Sequence, residues 1–343
     1  MKLSLAVLLG IVLAFSMSTA SALERKQFCV FDIGGASGFV YKTLENYRRE
    51  VAGEGVQLSM RPFTDEEAVI AEFNEGNCDL IAVTDIGVRR FNDFTSSISA
   101  IGAIPRYEDL KVLMHILASP RVAEHLENES HQILGVVPMG AAYLFVNDRT
   151  LDHVDEIQGK RVSVFEGHHD ANFMINHLGG VAVPAKTSNF SQMFNNGEVD
   201  ISYAPVAAYE LLEMFRGMGD TGGIVRYPVG QVTTQLVART GEFDERFVRK
   251  SRRIVSRLYS EAMRIVREFE DRVPEERWVD ISPEAVLGYQ EMLRGVRVSL
   301  KESSDEDAVL AAAAYNEDMM TILRKVRCYT NPGGQECAAE DRE

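Results

Sequence analysis

Apolar residues recur along this chain with two spacings, alternate and helical, and the order of the two predicts strands and helices in turn. Residues 28–31 read as a strand entering the glycine-rich turn Asp32-Ile33-Gly34-Gly35-Ala36-Ser37-Gly38, and a helical pattern follows through Val51. Residues 56–62 predict a second strand. Thr64-Asp65-Glu66-Glu67, with threonine three residues before glutamate, predicts a capping box and a helix that stops at Gly76. Residues 79–84 carry apolar and β-branched side chains on both faces, the pattern of a buried parallel strand.

One turn occurs twice. Phe73-Asn74-Glu75-Gly76-Asn77-Cys78-Asp79-Leu80 is echoed by Phe194-Asn195-Asn196-Gly197-Glu198-Val199-Asp200-Ile201. Physically this is a helix ended by a left-handed glycine, followed by a tight entry into a parallel strand. Each copy has an upstream strand ending in a polar loop, at Phe31-Asp32 and at Phe165-Glu166, so two similar α/β lobes are predicted. Chance recurrence of a common turn is the alternative. Residues 133–147 and 227–238 read as extended segments crossing between the lobes. Phe247, Ile254, Leu258, Ala262, Ile265 and Phe269 then define a long amphipathic helix. Its basic residues Arg249, Lys250, Arg252, Arg253, Arg257, Arg264 and Arg267 read as a solvated outer face. Ser282-Pro283-Glu284 opens a further helix ended by Gly295; residues 296–300 read as a short strand, and Ser303 with Glu306 caps a helix running to about Arg327.

The N-terminus changes the picture. Met1-Lys2, an apolar run too short to span a membrane and Ala20-Ser21-Ala22 form a secretory leader, with cleavage expected after Ala22 and an uncleaved anchor as the alternative. The remaining chain is long enough for two domains, and the protein is expected in the periplasm without stable membrane insertion. A net charge of −15 disfavours nucleic acid as a partner. Four cysteines in an exported chain, with no Cys-x-x-Cys, read as two disulfides: Cys328–Cys337 around a short loop and, by elimination, Cys29–Cys78. Buried free thiols are the alternative.

With Asp155-Glu156-Ile157-Gln158-Gly159-Lys160-Arg161-Val162, the Asn196-Gly197-Glu198-Val199-Asp200 turn and the long helix near Asp244 in view, the chain resembles the solute-binding proteins of TRAP transporters. It is closer still to a group within that superfamily, some labelled RND-type efflux components, in which a strand such as Cys29-Val30-Phe31-Asp32 opens the mature chain. The resemblance covers nearly all of residues 27–327. It implies an α/β, two-lobed periplasmic-binding-protein-like fold with two crossing linker strands and a long bracing helix. Lobe I is expected over residues 23–135 plus 224–245, and lobe II with the bracing helices over 136–223 plus 246–327; residues 328–343 form a disulfide-tethered tail. TRAP-type proteins place an arginine on the strand after the glycine-lysine pair to clamp a carboxylate. Here that position is Ser163, with Arg161 one pleat earlier, and a carboxylate ligand is thereby in doubt.

In α/β lobes, ligands sit beyond the C-terminal ends of the parallel strands. That rule selects Asp32, Gly34, Gly35, Ser37, Thr84 and Asp85 in lobe I, and Glu166, His168, Ser202 and Tyr203 in lobe II beside Arg161 and Ser163. The crossing strands add Tyr143 and Gln231. The glycines offer amides to an anion or simply supply a turn. Phe31-Asp32-Ile33-Gly34-Gly35 also resembles the first phosphate loop of actin-like ATPases, without the second loop that family needs. Glu166-Gly167-His168-His169-Asp170 suggests a metal, but adjacent histidines seldom converge on one ion, and Asp170 reads better as the N-cap of a helix near Ala171. No G-x-S-x-G or H-E-x-x-H is present. The sequence therefore reads as a binding protein without cofactor or metal rather than an enzyme, its partners a small solute and TRAP-like membrane transporter subunits. Two alternatives stand beside it: an envelope or efflux-complex interaction protein with a lost site, and an exported hydrolase using Asp32 and Glu166.

Overall fold

The structure, a computed structural model, describes residues 24–338, the side chains of residues 154, 155, 307 and 314 excepted. The leader and its cleavage site lie outside the described residues. The strands are β1 (Glu24–Phe31), β2 (Val56–Phe63), β3 (Leu80–Thr84), β4 (His131–Val146), β5 (Arg161–Phe165), β6 (Val181–Ala185), β7 (Ile201–Pro205), β8 (Gly223–Arg239) and β9 (Trp278–Val279). They hydrogen-bond in the order β2-β1-β3-β8-β4-β7-β5-β6, with β9 beside β8.

Two long strands let this one path serve two lobes. The C-terminal half of β8 pairs with β3, from Thr84↔Thr234 to Leu80↔Ala238. The C-terminal half of β4 pairs with β7, from Ala142↔Pro205 to Val146↔Ile201. The β4–β8 register slips between the halves at Pro138/Gly140, and within each half at Ile133/Gly135 and Ala142/Leu144. Such irregularities bend and twist a ribbon, so one continuous nine-stranded sheet is bent into two halves. The helix Glu245–Arg272 crosses β4 where glycines let it approach: a Cβ at Gly135 would stand 2.5 Å from Val255, and one at Gly140 2.9 Å from Val266.

Strand alternation sorts the first lobe's core into two layers. Phe28 and Val30 of β1 face Leu44 and Tyr47 of the helix Phe39–Ala52 together with Ile254 and Leu258 of the long helix. Cys29 and Phe31 face Val69, Ile70 and Phe73 of the helix Glu66–Asn74. Both disulfides, Cys29–Cys78 and Cys328–Cys337, are formed.

The repeated turn is the same structure twice. Gly76 and Gly197 have φ of +82° and +72°. Asn77 N donates to Glu72 O, as Glu198 N donates to Met193 O. Asp79 bonds Gln27 in both directions, and Asp200 does the same with Arg161, through backbone amide and carboxylate alike.

Several local expectations are corrected. The helix Glu66–Asn74 is capped by Asp65, whose carboxylate accepts from Glu67 N, not by Thr64. Gly295 does not end its helix, which runs Pro283–Glu302; Val296 and Leu300 form no strand and instead bury one helical face with Leu293. A lone glycine costs a helix only about 1 kcal/mol, and this packing overrides it. Beyond it lie two helices rather than one, Glu306–Ala314 and Glu317–Thr330. Asp305, not Ser303, accepts from Ala308 N, and Asn316 starts the second helix by accepting from Asp318 N and Met319 N. Arg252 belongs to no solvated face: it is buried, donating to Ile133 O and Leu126 O, and burial lowers its pKa to about 10.

Candidate functional site

The C-terminal ends of β1 and β3 face those of β5 and β7 across a cavity of about 180 Å³, floored by Met139 and Ala142 of β4 and by residues 229–232 of β8. Its walls are mostly apolar: Phe31 and Ile86 from the first lobe, Phe165, Met174 and Ile201 from the second, and Tyr289, Met292 and Leu293 from the helix Pro283–Glu302.

The glycine turn after β1 is wrapped around its own carboxylate. Asp32 Oδ1 accepts from Gly34 N at 2.8 Å, and Oδ2 from Tyr41 N at 3.0 Å. A Cβ at Gly38 would lie 1.8 Å from Asp32 Oδ1, so the glycine is required by close approach. The amides that would cradle an external anion are engaged by Asp32 itself. Burial raises the Asp32 pKa, and the amides of Tyr41 and Gly34 oppose that rise.

After β3, Glu66 reaches back to accept from Thr84 N and, at 3.1 Å, from Thr84 Oγ1; burial pushes its pKa up to about 6. Asp85 follows on the cavity wall with its pKa pushed up to about 7, burial outweighing the attraction of Arg89. Arg89 is the link between the lobes. Its Nη1 donates to Gly167 O at 2.9 Å and its Nη2 lies 3.3 Å from Asp170 Oδ1. Asp170 also accepts from Tyr315 Oη, which brings in the C-terminal helices. Burial works to raise the Asp170 pKa, yet His168, Arg89 and Tyr315 hold it at about 2. His168 is bonded through Nδ1 to Tyr203 Oη at 2.7 Å, and burial lowers its pKa to about 4, so it is neutral. Asp170 is thus a buried anion at the junction of three segments and not an N-cap; His168 occupies the N-cap position of the helix His169–His177.

With this geometry in place, relatives become informative. The sequence matches the family described as solute-binding protein AdeT 1/2 over residues 51–342. The chain belongs to that family. It is 32% identical over 312 residues to the "Probable solute-binding protein AdeT1" of Acinetobacter baumannii, covering 91% of this chain and 100% of that one. Among solved structures, a TRAP periplasmic solute-binding protein from Rhodoferax ferrireducens with bound malonate superposes with TM-score 0.69 at 9% identity, covering 90% of this chain and 100% of that one. Another from Ochrobactrum anthropi, its own C-terminus bound in the ligand pocket, gives 0.69 at 12% identity over 92% and 100%. These similarities show the two-lobed fold.

In this AdeT-family chain the structure brings Asp32, Thr84, Asp85, His168, Tyr203 and Gln231 to the cavity. It places the other candidates elsewhere. Gly34, Gly35 and Ser37 form the turn around Asp32, with Ser37 exposed. Arg161 sits at the opposite end of β5, donating to both oxygens of Asp200. Ser163 and Ser202 are buried and bonded to each other at 2.7 Å. Glu166 is exposed, 3.8 Å from Lys186, and does not confront Asp32. Tyr143 points to the long helix, donating to Glu270 at 3.0 Å. Among the described residues no group of three or more His, Cys, Asp or Glu is placed to hold a metal. Sequence reasoning missed Arg89, Tyr315 and the part that the helix Pro283–Glu302 plays in the cavity wall. Tyr289, Met292 and Leu293 carried a helical-face signal, but nothing separated a cavity wall from ordinary core.

Proposed function

We propose that this solute-binding protein works in the periplasm, capturing a small solute by closing its lobes over the cavity and presenting the closed form to TRAP-like membrane transporter subunits. The observation that carries the reading is the placement of an apolar cavity between strand ends of both lobes, with Arg89 spanning them to Gly167 and Asp170. A ligand touching both lobes stabilises the closed arrangement because only there are all its contacts made. The register slips in β4 and β8 supply the bending point. Two disulfides support an oxidising compartment. An interaction protein with a lost site is the weaker reading, because the cavity is retained.

Native mass spectrometry of protein purified from the periplasmic fraction is expected to show a small-molecule adduct. Small-angle scattering should show compaction when stripped protein is reloaded with it. An unchanged radius of gyration at saturation overturns capture by closure.

A further inference from the structure

The cavity's chemistry narrows the solute, given the capture reading above. The arginine that the TRAP resemblance leads one to expect is Ser163, and its hydroxyl is committed to Ser202 beneath the surface. Among the described residues that line the cavity there is neither lysine nor arginine, whereas Asp32 and Asp85 both do. Asp32 is turned inward on its own loop. Asp85 is only 2% exposed; its carboxylate is bonded by the backbone amides of Asp85 and Ile86, and no described side chain donates to it.

A second acceptor stands beside it. Asp85 N donates to Thr233 O, which places Asp85 against β8 two residues from Gln231. Gln231 is also 2% exposed; its Nε2 donates to Ile104 O, and its Oε1 is buried with no partner. A buried acceptor left unpaired is destabilising and is normally met by a donor. Glu66 and Asp170 are also buried nearby; Arg89 already spans to Asp170, and the buried Arg297 is turned to Ile101 O behind the lining.

We infer that the solute is a mainly apolar molecule bearing an ammonium group, with the ammonium at Asp85 and Gln231 and the apolar body against Phe31, Met139, Met174 and Leu293. An ammonium has three donors and no acceptor, matching the ionised Asp85 carboxylate and the unpaired Gln231 oxygen. A carboxylate there would face Asp85 with no lining cation to offset the repulsion. The strained ionisation of Asp85 fits the same picture, since an adjacent cation favours its charged form.

Calorimetric titration of ligand-stripped protein with matched probes decides the matter. The probes are 2-phenylethylammonium, 3-phenylpropanoate and 2-phenylethanol, with butyl- to decylammonium as a length series. The ammonium ions should bind at least tenfold tighter than the carboxylate and the alcohol of similar size. Asp85→Asn, checked for an unaltered fold by circular dichroism, should abolish that preference and leave the weak alcohol binding in place. Equal or tighter binding of the carboxylate or alcohol, no binding by any ammonium in the series, or a preference that survives D85N overturns the inference. A co-purified solute lacking an amine overturns it too while leaving capture intact; an unchanged radius of gyration at saturation removes capture by closure instead.

Discussion

The two lobes begin alike and end differently. Their helix-to-strand turns share the same hydrogen bonds, Asp79 with Gln27 and Asp200 with Arg161. Counting forward from that shared register, Cys29 corresponds to Ser163, Cys78 to Val199, Asp32 to Glu166 and Asp85 to Val206. The first lobe therefore closes its strand pair with a disulfide, where the second has a Ser163–Ser202 hydrogen bond. At the far strand ends, facing the cavity, the first lobe carries buried acids. The second has an exposed glutamate and a buried valine at the matching positions. Turn chemistry is shared because any α/β lobe must return its chain to the sheet. The strand ends diverge at the cavity, where the two lobes face each other.

That contrast can be broken experimentally, most forcefully at the disulfide. Replacing Cys29 and Cys78 by alanine removes a cross-link spanning 49 residues and should lower unfolding free energy by about 4 kcal/mol on the chain-entropy model. The Cys328–Cys337 pair, spanning 9, should lose about 3 kcal/mol. Urea denaturation of the oxidised proteins measures both, and equal losses would remove the special role of the first-lobe link.

Next comes Gly38→Ala, which drives a methyl into the Asp32 carboxylate. Overpacking together with loss of the amide bonds should cost about 3 kcal/mol. Alanine at the second-lobe loop residue Gly167, where φ is +80° but nothing lies within 4 Å, should cost about 1 kcal/mol. Thermal unfolding of the two variants side by side reads the difference.

The lobe junction responds to pH. His168 is held neutral with its pKa lowered to about 4 from 6.5. Between those values the unfolded chain takes up the proton and the folded chain does not. Stability from this group is therefore full above 6.5 and lost as pH falls toward 4, by about 2 kcal/mol at pH 5. Asp85 works in the opposite sense: its raised pKa makes ionisation unfavourable to folding as pH rises from the ordinary carboxylate range to about 7. His168→Gln should flatten the decline in stability between pH 6.5 and 5; an unchanged slope would place the acid sensitivity elsewhere.

The smallest effect tests the likeness itself. Asp79→Ala should cost about 1 kcal/mol and Asp200→Ala about 2 kcal/mol, the latter because it also strips Arg161 of both side-chain contacts. A silent substitution in either lobe would show that the repeated turn is alike in shape but not in energetics.

Much of this architecture was legible in the residues. Apolar and β-branched residues on both faces exposed β3, extended stretches exposed the crossing strands, Asp244 marked the long helix, and the Phe-Asn-x-Gly-x-x-Asp repeat announced two lobes. These signals are local: each depends on neighbours within about one helical turn or on the two-residue period of a strand. The same locality explains the misreadings. Gly295 looked like a stop until buried packing of Val296 and Leu300 carried the helix through it, and Arg252 looked solvated until β4 offered its carbonyls.

What the sequence alone determined, then, is the order of elements, the turns that join them and the doubling of the lobe, because backbone preference and apolar period are written residue by residue. Tertiary structure alone decided which polar groups meet: Arg89 finds Asp170 across 81 residues, and Tyr315 finds it across 145. It also decided that Asp85 and Gln231 line the cavity while Arg161 does not. No local spacing encodes such meetings, since they are set by how two lobes and a C-terminal helix pair close around one space.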